Sequence, residues 1–181
     1  MGYDEKIAEL KRYLKSEENL QICKPFIEKG EEFVKIKNNY LTVCKKIYDD
    51  LNSKITTREY ATESELHRGF YCPSKIFEIT VGNCTRGRLL KKGIPNKKAS
   101  FEYGLDSSQR LVTVNCLESN IHEIIIYGDN NSALGILFED DDCGVTVYAV
   151  SECLYDDKMR IKDYYYINFW YADSCYCKHF I

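Results

Sequence analysis

From residue 75 to residue 171 the chain alternates between two textures. Runs with apolar residues at every second position are separated by short clusters of Gly, Pro, Asn, Asp and Ser. In KIFEITV (75–81), Phe77, Ile79 and Val81 share one face, as a half-buried strand requires. The segments 85–92, 99–105, 110–117, 122–128, 133–139, 144–155 and 160–171 read as further strands. KGIPNK, DSSQ, GDNNS, EDDDCG and YDDK supply the turns between them. Connections this short join antiparallel neighbours, because parallel strands need long crossovers. No helical segment is interleaved among these strands. The expected fold class is therefore α+β, with N-terminal helices, one of them long, packed on one face of an antiparallel meander sheet of about seven or eight strands.

The helices come first. Asp4 can cap EKIAELKRYLK, where Ile7, Leu10 and Leu14 recur at helical steps. A break is expected at SEEN (16–19), after which Pro25 suits the first turn of a longer helix. From Phe26 an apolar stripe runs through Gly30, Phe33, Tyr40, Cys44, Ile47 and Leu51, widened by Val34, Leu41, Tyr48 and Ile55. Only Lys37 interrupts it. Residues 56–70 leave room for a short third helix. At 181 residues the chain reads as a single domain, residues 1–181, with a helical part at 1–55 and the sheet at 70–181.

The N-terminus lacks the basic start and apolar core of a signal peptide, and no apolar run approaches the ~20 residues of a membrane span. The nine Cys are odd in number and scattered, which reads as reduced thiols serving as small hydrophobes in a cytoplasmic protein. No Walker loop, dinucleotide fingerprint, nucleophile elbow or zinc-protease motif is present, so no catalytic residue is assigned and no cofactor is expected. A pair of His67 and His122 with Arg68 can be drawn but matches no motif. Cys175, Cys177 and His179 lie on one side of a terminal extended segment. Without a second ligand pair they read as a strand's inward residues, and no metal is assigned.

Charge and aromatic residues are distributed unevenly. Residues 1–60 carry 12 basic and 11 acidic side chains, residues 61–118 carry 9 and 6, and residues 119–181 carry 4 and 11. That acidic last third also holds the aromatic run of residues 164–171, with four Tyr, Phe169 and Trp170. One face of this strand, Tyr165, Ile167, Phe169 and Tyr171, is expected against the helix. The other, Tyr164, Tyr166, Asn168 and Trp170, is expected to be open, since Tyr and Trp tolerate partial exposure and anchor interfaces. Glu139, Asp140, Asp141 and Asp142 crowd one turn, where their field can steer a basic partner, although acidic turns are also common solvated features. Arg86, Arg88, Lys91, Lys92, Lys97 and Lys98 form a basic stretch. Against the acidic total this reads as protection of a sheet edge, and no nucleic-acid partner is expected.

The segment FEYGLDSSQRLVTV (101–114) has the form aromatic-x-Tyr-x-x-Asp-x-x-x-Arg-Leu-Val and is followed by HEIIIYGDN and ALGILFE. Over residues 75–171 this succession resembles the β-meander immunity proteins of bacterial polymorphic and contact-dependent toxin systems. The resemblance implies a cytoplasmic, non-catalytic protein that binds one cognate toxin domain, commonly a nuclease with a basic cleft, and neutralises it. The expected toxin-binding residues are Glu139, Asp140, Asp141, Asp142, Tyr164, Tyr166 and Trp170, with no membrane partner and no oligomeric state specified. Two other classes stay open: a small cytosolic enzyme or ligand-binding domain with a helix–sheet pocket, and a self-associating structural module.

Overall fold

The computed structural model describes residues 17–62, 88–90, 99–169 and 178–180, apart from the side chains of residues 18–20, 22, 23, 26 and 178–180. Two helices, α1 (Glu17–Tyr40) and α2 (Cys44–Ser53), precede nine strands. These are β1 (Thr57–Thr62), β2 (Arg88–Leu89), β3 (Ala99–Leu105), β4 (Leu111–Cys116), β5 (Ile121–Gly128), β6 (Ser132–Asp141), β7 (Gly144–Tyr155), β8 (Ile161–Asn168) and β9 (Lys178–Phe180). They form one sheet in the order β2-β1-β3-β4-β5-β6-β7-β8-β9, with every described pairing antiparallel. The α+β class and the meander from β3 onward agree with the sequence.

Four expectations change. The helical stripe is divided by a turn at 41–43, where the Val43 N–H bonds the Tyr40 carbonyl, so a 30-residue helix from Pro25 gives way to two. The first of them starts at Glu17, inside the expected break, and carries Pro25 in its interior. The sheet begins at Thr57, where a third helix had room. TREYAT pairs antiparallel with β3, in a register that places Tyr60 opposite Glu102 and Ala61 opposite Phe101. This strand also lies between β2 and β3, which departs from a simple meander. The expected helix after Asp4 and the strand at 75–81 fall outside the described residues.

The stripe itself does its job. Phe33 and Cys44 are buried with Ile124, Ile136, Phe138, Val147, Val150 and Ile167, and Ile36, Tyr40, Leu41, Ile47, Tyr48 and Leu51 pack around them. Tyr165 and Phe169 join the same cluster, as their face of β8 predicted. Val34, by contrast, is exposed and does not widen the seam. Lys37, the one interruption, places its ammonium 4.7 Å from the centre of the Phe169 ring, so its stem follows the apolar surface while its charge finds a π face. Lys29 pins the same helix to the sheet, with Nζ 2.7 Å from both Glu152 and Glu32 and 5.3 Å from the Tyr165 ring centre. Burial disfavours the Lys29 ammonium, but the two carboxylates outweigh it and its pKa rises.

Gly104 marks the tightest approach of the α2–β1 link to the sheet. A Cβ there would lie 2.3 Å from Ile55 Cδ1 and 2.4 Å from Thr113 Oγ1, so no larger residue fits without displacement.

Candidate functional site

The acidic turn sits at the tip of the two longest strands, β6 and β7. Its four carboxylates are not equivalent. Glu139 is half-buried and accepts a hydrogen bond from the Tyr148 hydroxyl, which holds the Tyr148 pKa above its ordinary value. Asp140 is ion-paired with Lys45 at the start of α2, and that bond raises the lysine's pKa. Asp141 caps its own turn, its Oδ1 accepting the Cys143 N–H at 2.8 Å. Asp142 stands exposed beside it. The outer charges of the turn are thus presented to solvent while the inner two brace the tip against β7 and α2.

The two tyrosines of the expected patch lie elsewhere. Tyr166 pairs with Ser151, seven residues along β7 from Gly144, which is about 20 Å from the turn at strand rise. The expected open back face is also closed where it is described. Tyr164 is 2% exposed, and it is buried together with Ala61, Tyr103, Ile125, Ala133, Cys153 and Tyr155, with Tyr166 half-buried against them. The register gives the reason. Tyr127, Ala133, Cys153 and Tyr164 stand side by side across β5–β8, so two small residues leave room for the rings on either flank. Asn168 Nδ2 bonds the Tyr166 hydroxyl at 3.2 Å. Trp170, Cys175, Cys177, His67, Arg68 and the basic side chains at 86, 91, 92, 97 and 98 lie outside the described residues, and the His179 side chain is likewise not described. Among the described residues no cluster of metal-ligating side chains forms, and no helix is long and apolar enough to cross a membrane.

Two features escaped the sequence reading. The first is a polar row beneath α2. Tyr60 donates to Glu102 Oε2 at 2.9 Å, Arg58 binds Glu102 and also Asn52 of α2 at 2.8 Å, and Asn115 Nδ2 donates to Glu102 Oε1 at 3.0 Å. That last bond orients the amide so that its Oδ1 faces His122 Nδ1 at 3.1 Å, which puts the imidazole proton on Nδ1. Tyr48 of α2 packs its ring 4.7 Å from His122. Burial holds the His122 pKa low; Asp140 opposes the shift and Lys45 reinforces it. Chemically this row keeps a neutral histidine oriented, and it ties α2 to β1, β3, β4 and β5.

The second feature is a turn used twice. In β3–β4, Asp106 Oδ1 accepts the N–H groups of Ser108 and Arg110 at 2.8 and 2.9 Å, while Oδ2 takes the Arg110 guanidinium. In β7–β8, Asp156 does the same with Lys158 and Arg160, both at 2.9 Å, and with the Arg160 guanidinium. Both turns close with an Asp N–H to Arg C=O bond of 2.9 Å, and both shift register one residue before the Asp. The repeated D-x-x-x-R spacing is the signal that would have found it. For Asp106, partial burial disfavours the charge but the backbone and guanidinium donors prevail, so the carboxyl titrates below its usual range. For Asp156 the Arg160 side chain leads, with the same result.

These two turns and the β5–β6 turn share one edge of the sheet, opposite the acidic tip, because consecutive antiparallel strands reverse direction. A half-open cavity of about 350 Å³ lies among them, walled by Leu111, Tyr127, Tyr155 and Met159 with Arg110 and Asn131 at its polar side.

The class defined by this geometry is an antiparallel α+β sheet protein with helices on one face. Comparison with family models, curated proteins and solved structures finds no match to the chain.

Proposed function

We propose that this is a cytoplasmic, non-catalytic immunity protein that captures a cognate toxin domain, a basic nuclease, through the tip of its β6–β7 hairpin. The observation that carries the reading is the presentation of Asp141 and Asp142 at the exposed end of the longest hairpin, with Glu139 and Asp140 braced behind them. A nuclease holds a polyanion, so its cleft is basic, and closely spaced carboxylates on a stiff hairpin complement it while accelerating encounter. The net charge of −7 over residues 119–181 (4 basic, 11 acidic) adds long-range steering to that contact. Tyr164 is not part of the binding surface in this reading, because it is sealed in the core. Tyr166, about 20 Å from the turn along the sheet, is a secondary contact in this reading.

The test is binding to the polypeptide encoded immediately upstream, measured by stopped-flow fluorescence across a salt series. Joint replacement of Asp141 and Asp142 by Asn should slow association at least tenfold at low salt, with the difference shrinking as salt rises. Unchanged association at every salt concentration would remove the basis of the reading.

A further inference from the structure

Among the described residues, three that are not glycine adopt a positive φ: Gln109 at 59°, Asn131 at 50° and Met159 at 58°. Left-handed backbone costs an L-residue about 1–2 kcal/mol, with Asn the best tolerated, and in turns of this kind the position normally belongs to glycine. All three line the cavity at the turn edge of the sheet. They come from three different turns, so neighbouring sequence does not explain their meeting there. Two of those turns are locked by their Asp–Arg pairs, which makes the walls preformed. Strained positions that keep side chains where glycine would be easier, all gathered on one cavity, point to a site.

We infer that this cavity binds a small planar aromatic anion. Among the described lining residues, Arg110 is the only ionisable group other than the tyrosines. Its Nε and Nη2 are directed to Asp106, its guanidinium carbon sits 4.5 Å from the centre of the Tyr127 ring, and Nη1 remains to bind an anionic oxygen. Tyr127 and the 63% exposed Met159 offer flat and polarisable surface for an aromatic body, above the buried Tyr155. The Gln109 and Asn131 amides add hydrogen-bonding groups at the rim. The site lies at the edge opposite the acidic tip and is independent of the toxin-binding reading.

The probe is 1-anilinonaphthalene-8-sulfonate, titrated by fluorescence into the full chain, with near-ultraviolet circular dichroism confirming the native state. One saturable site per chain is expected. The Gln109→Gly/Met159→Gly double variant should bind at least tenfold more weakly while melting no lower than the parent, because glycine relaxes both backbones. The neutral analogue N-phenyl-1-naphthylamine should bind at least fivefold more weakly than the sulfonate. Asp141→Asn/Asp142→Asn should leave probe binding unchanged, which separates this site from the tip. Should the double variant prove less stable, amide chemical-shift mapping decides on the parent chain, with shifts concentrated at residues 109–111, 127–132 and 155–159 as the expected result. The proposal is overturned by absence of a saturable site, by equal binding in a stably folded double variant, by equal affinity for the neutral analogue, or by shifts that map elsewhere.

Discussion

The two edges of the sheet use the same residue for opposite ends. At the turn edge, Asp106 and Asp156 each accept two backbone N–H groups and an arginine four residues on, so their charge is consumed in shaping the chain. At the other edge, the Asp140–Asp142 run has no arginine or lysine within the turn. Among the described residues only Asp140 finds a cation, Lys45, 95 residues away. A carboxylate in a hairpin therefore becomes structural or available according to whether the sequence supplies its donor locally. The latched turns define rigid backbone, and the unlatched one projects charge.

Substitutions can break that contrast on the rigid side first. Gly104→Ala, two residues ahead of the Asp106 latch, forces a Cβ into Ile55 and Thr113 and should lower stability by about 3 kcal/mol in urea unfolding. Asp106→Ala removes a largely covered charged acceptor that organises the turn and should lower it by about 2 kcal/mol. The more exposed Asp156 should show a smaller loss. Acid titration sharpens the comparison. Asp106 titrates lower in the folded chain than in the unfolded chain, so its contribution is complete above about pH 4 and fades as pH falls through the folded value. Asp106→Asn should therefore flatten thermal stability against pH in that acid range.

Gln109→Gly relieves a left-handed residue within the first latch and should raise stability by about 1 kcal/mol or less, because added freedom in the unfolded chain offsets part of the gain. His122, at the acidic-tip end of β5, adds a pH dependence. Its folded pKa is depressed, so below about pH 6.5 the unfolded chain takes up the proton first and stability declines with falling pH until the folded value is reached. His122→Gln should remove that slope from a melting series. The smallest change is expected at the tip, where Asp141→Asn with Asp142→Asn should shift stability by less than about 0.5 kcal/mol. A large loss there would mean that these carboxylates are structural after all.

Much of this architecture is local and therefore readable. Strands β3 to β8 follow from period-two alternation and from turn residues, and alternation also assigned Tyr165, Ile167 and Phe169 to the helix side. The division between α1 and α2 was hidden because Leu41 continues the apolar stripe through the turn. β1 was missed because it is short and pairs with a strand some forty residues later, a partner that no local pattern announces. Alternation sorts side chains by face but does not say what fills the space above them. That is why Tyr164 was expected in the open, while Ala133 and Cys153 beside it make room for the ring to be buried. At the candidate site, the turn and its charge were legible. The Lys45 contact, the polar row under α2 and the cavity built from three separate turns depend on long-range pairing.

The pairing of Lys29 with Glu152 has a consequence for biosynthesis. Their separation of 123 residues means that α1 leaves the ribosome long before the strands it covers exist. At roughly 5–20 residues per second, that interval lasts on the order of ten seconds. During it the buried side of the helix, centred on Phe33, has no docking surface. The nascent chain must keep this segment from self-association, by chaperone capture or by delayed helix formation, until β7 and β8 are made.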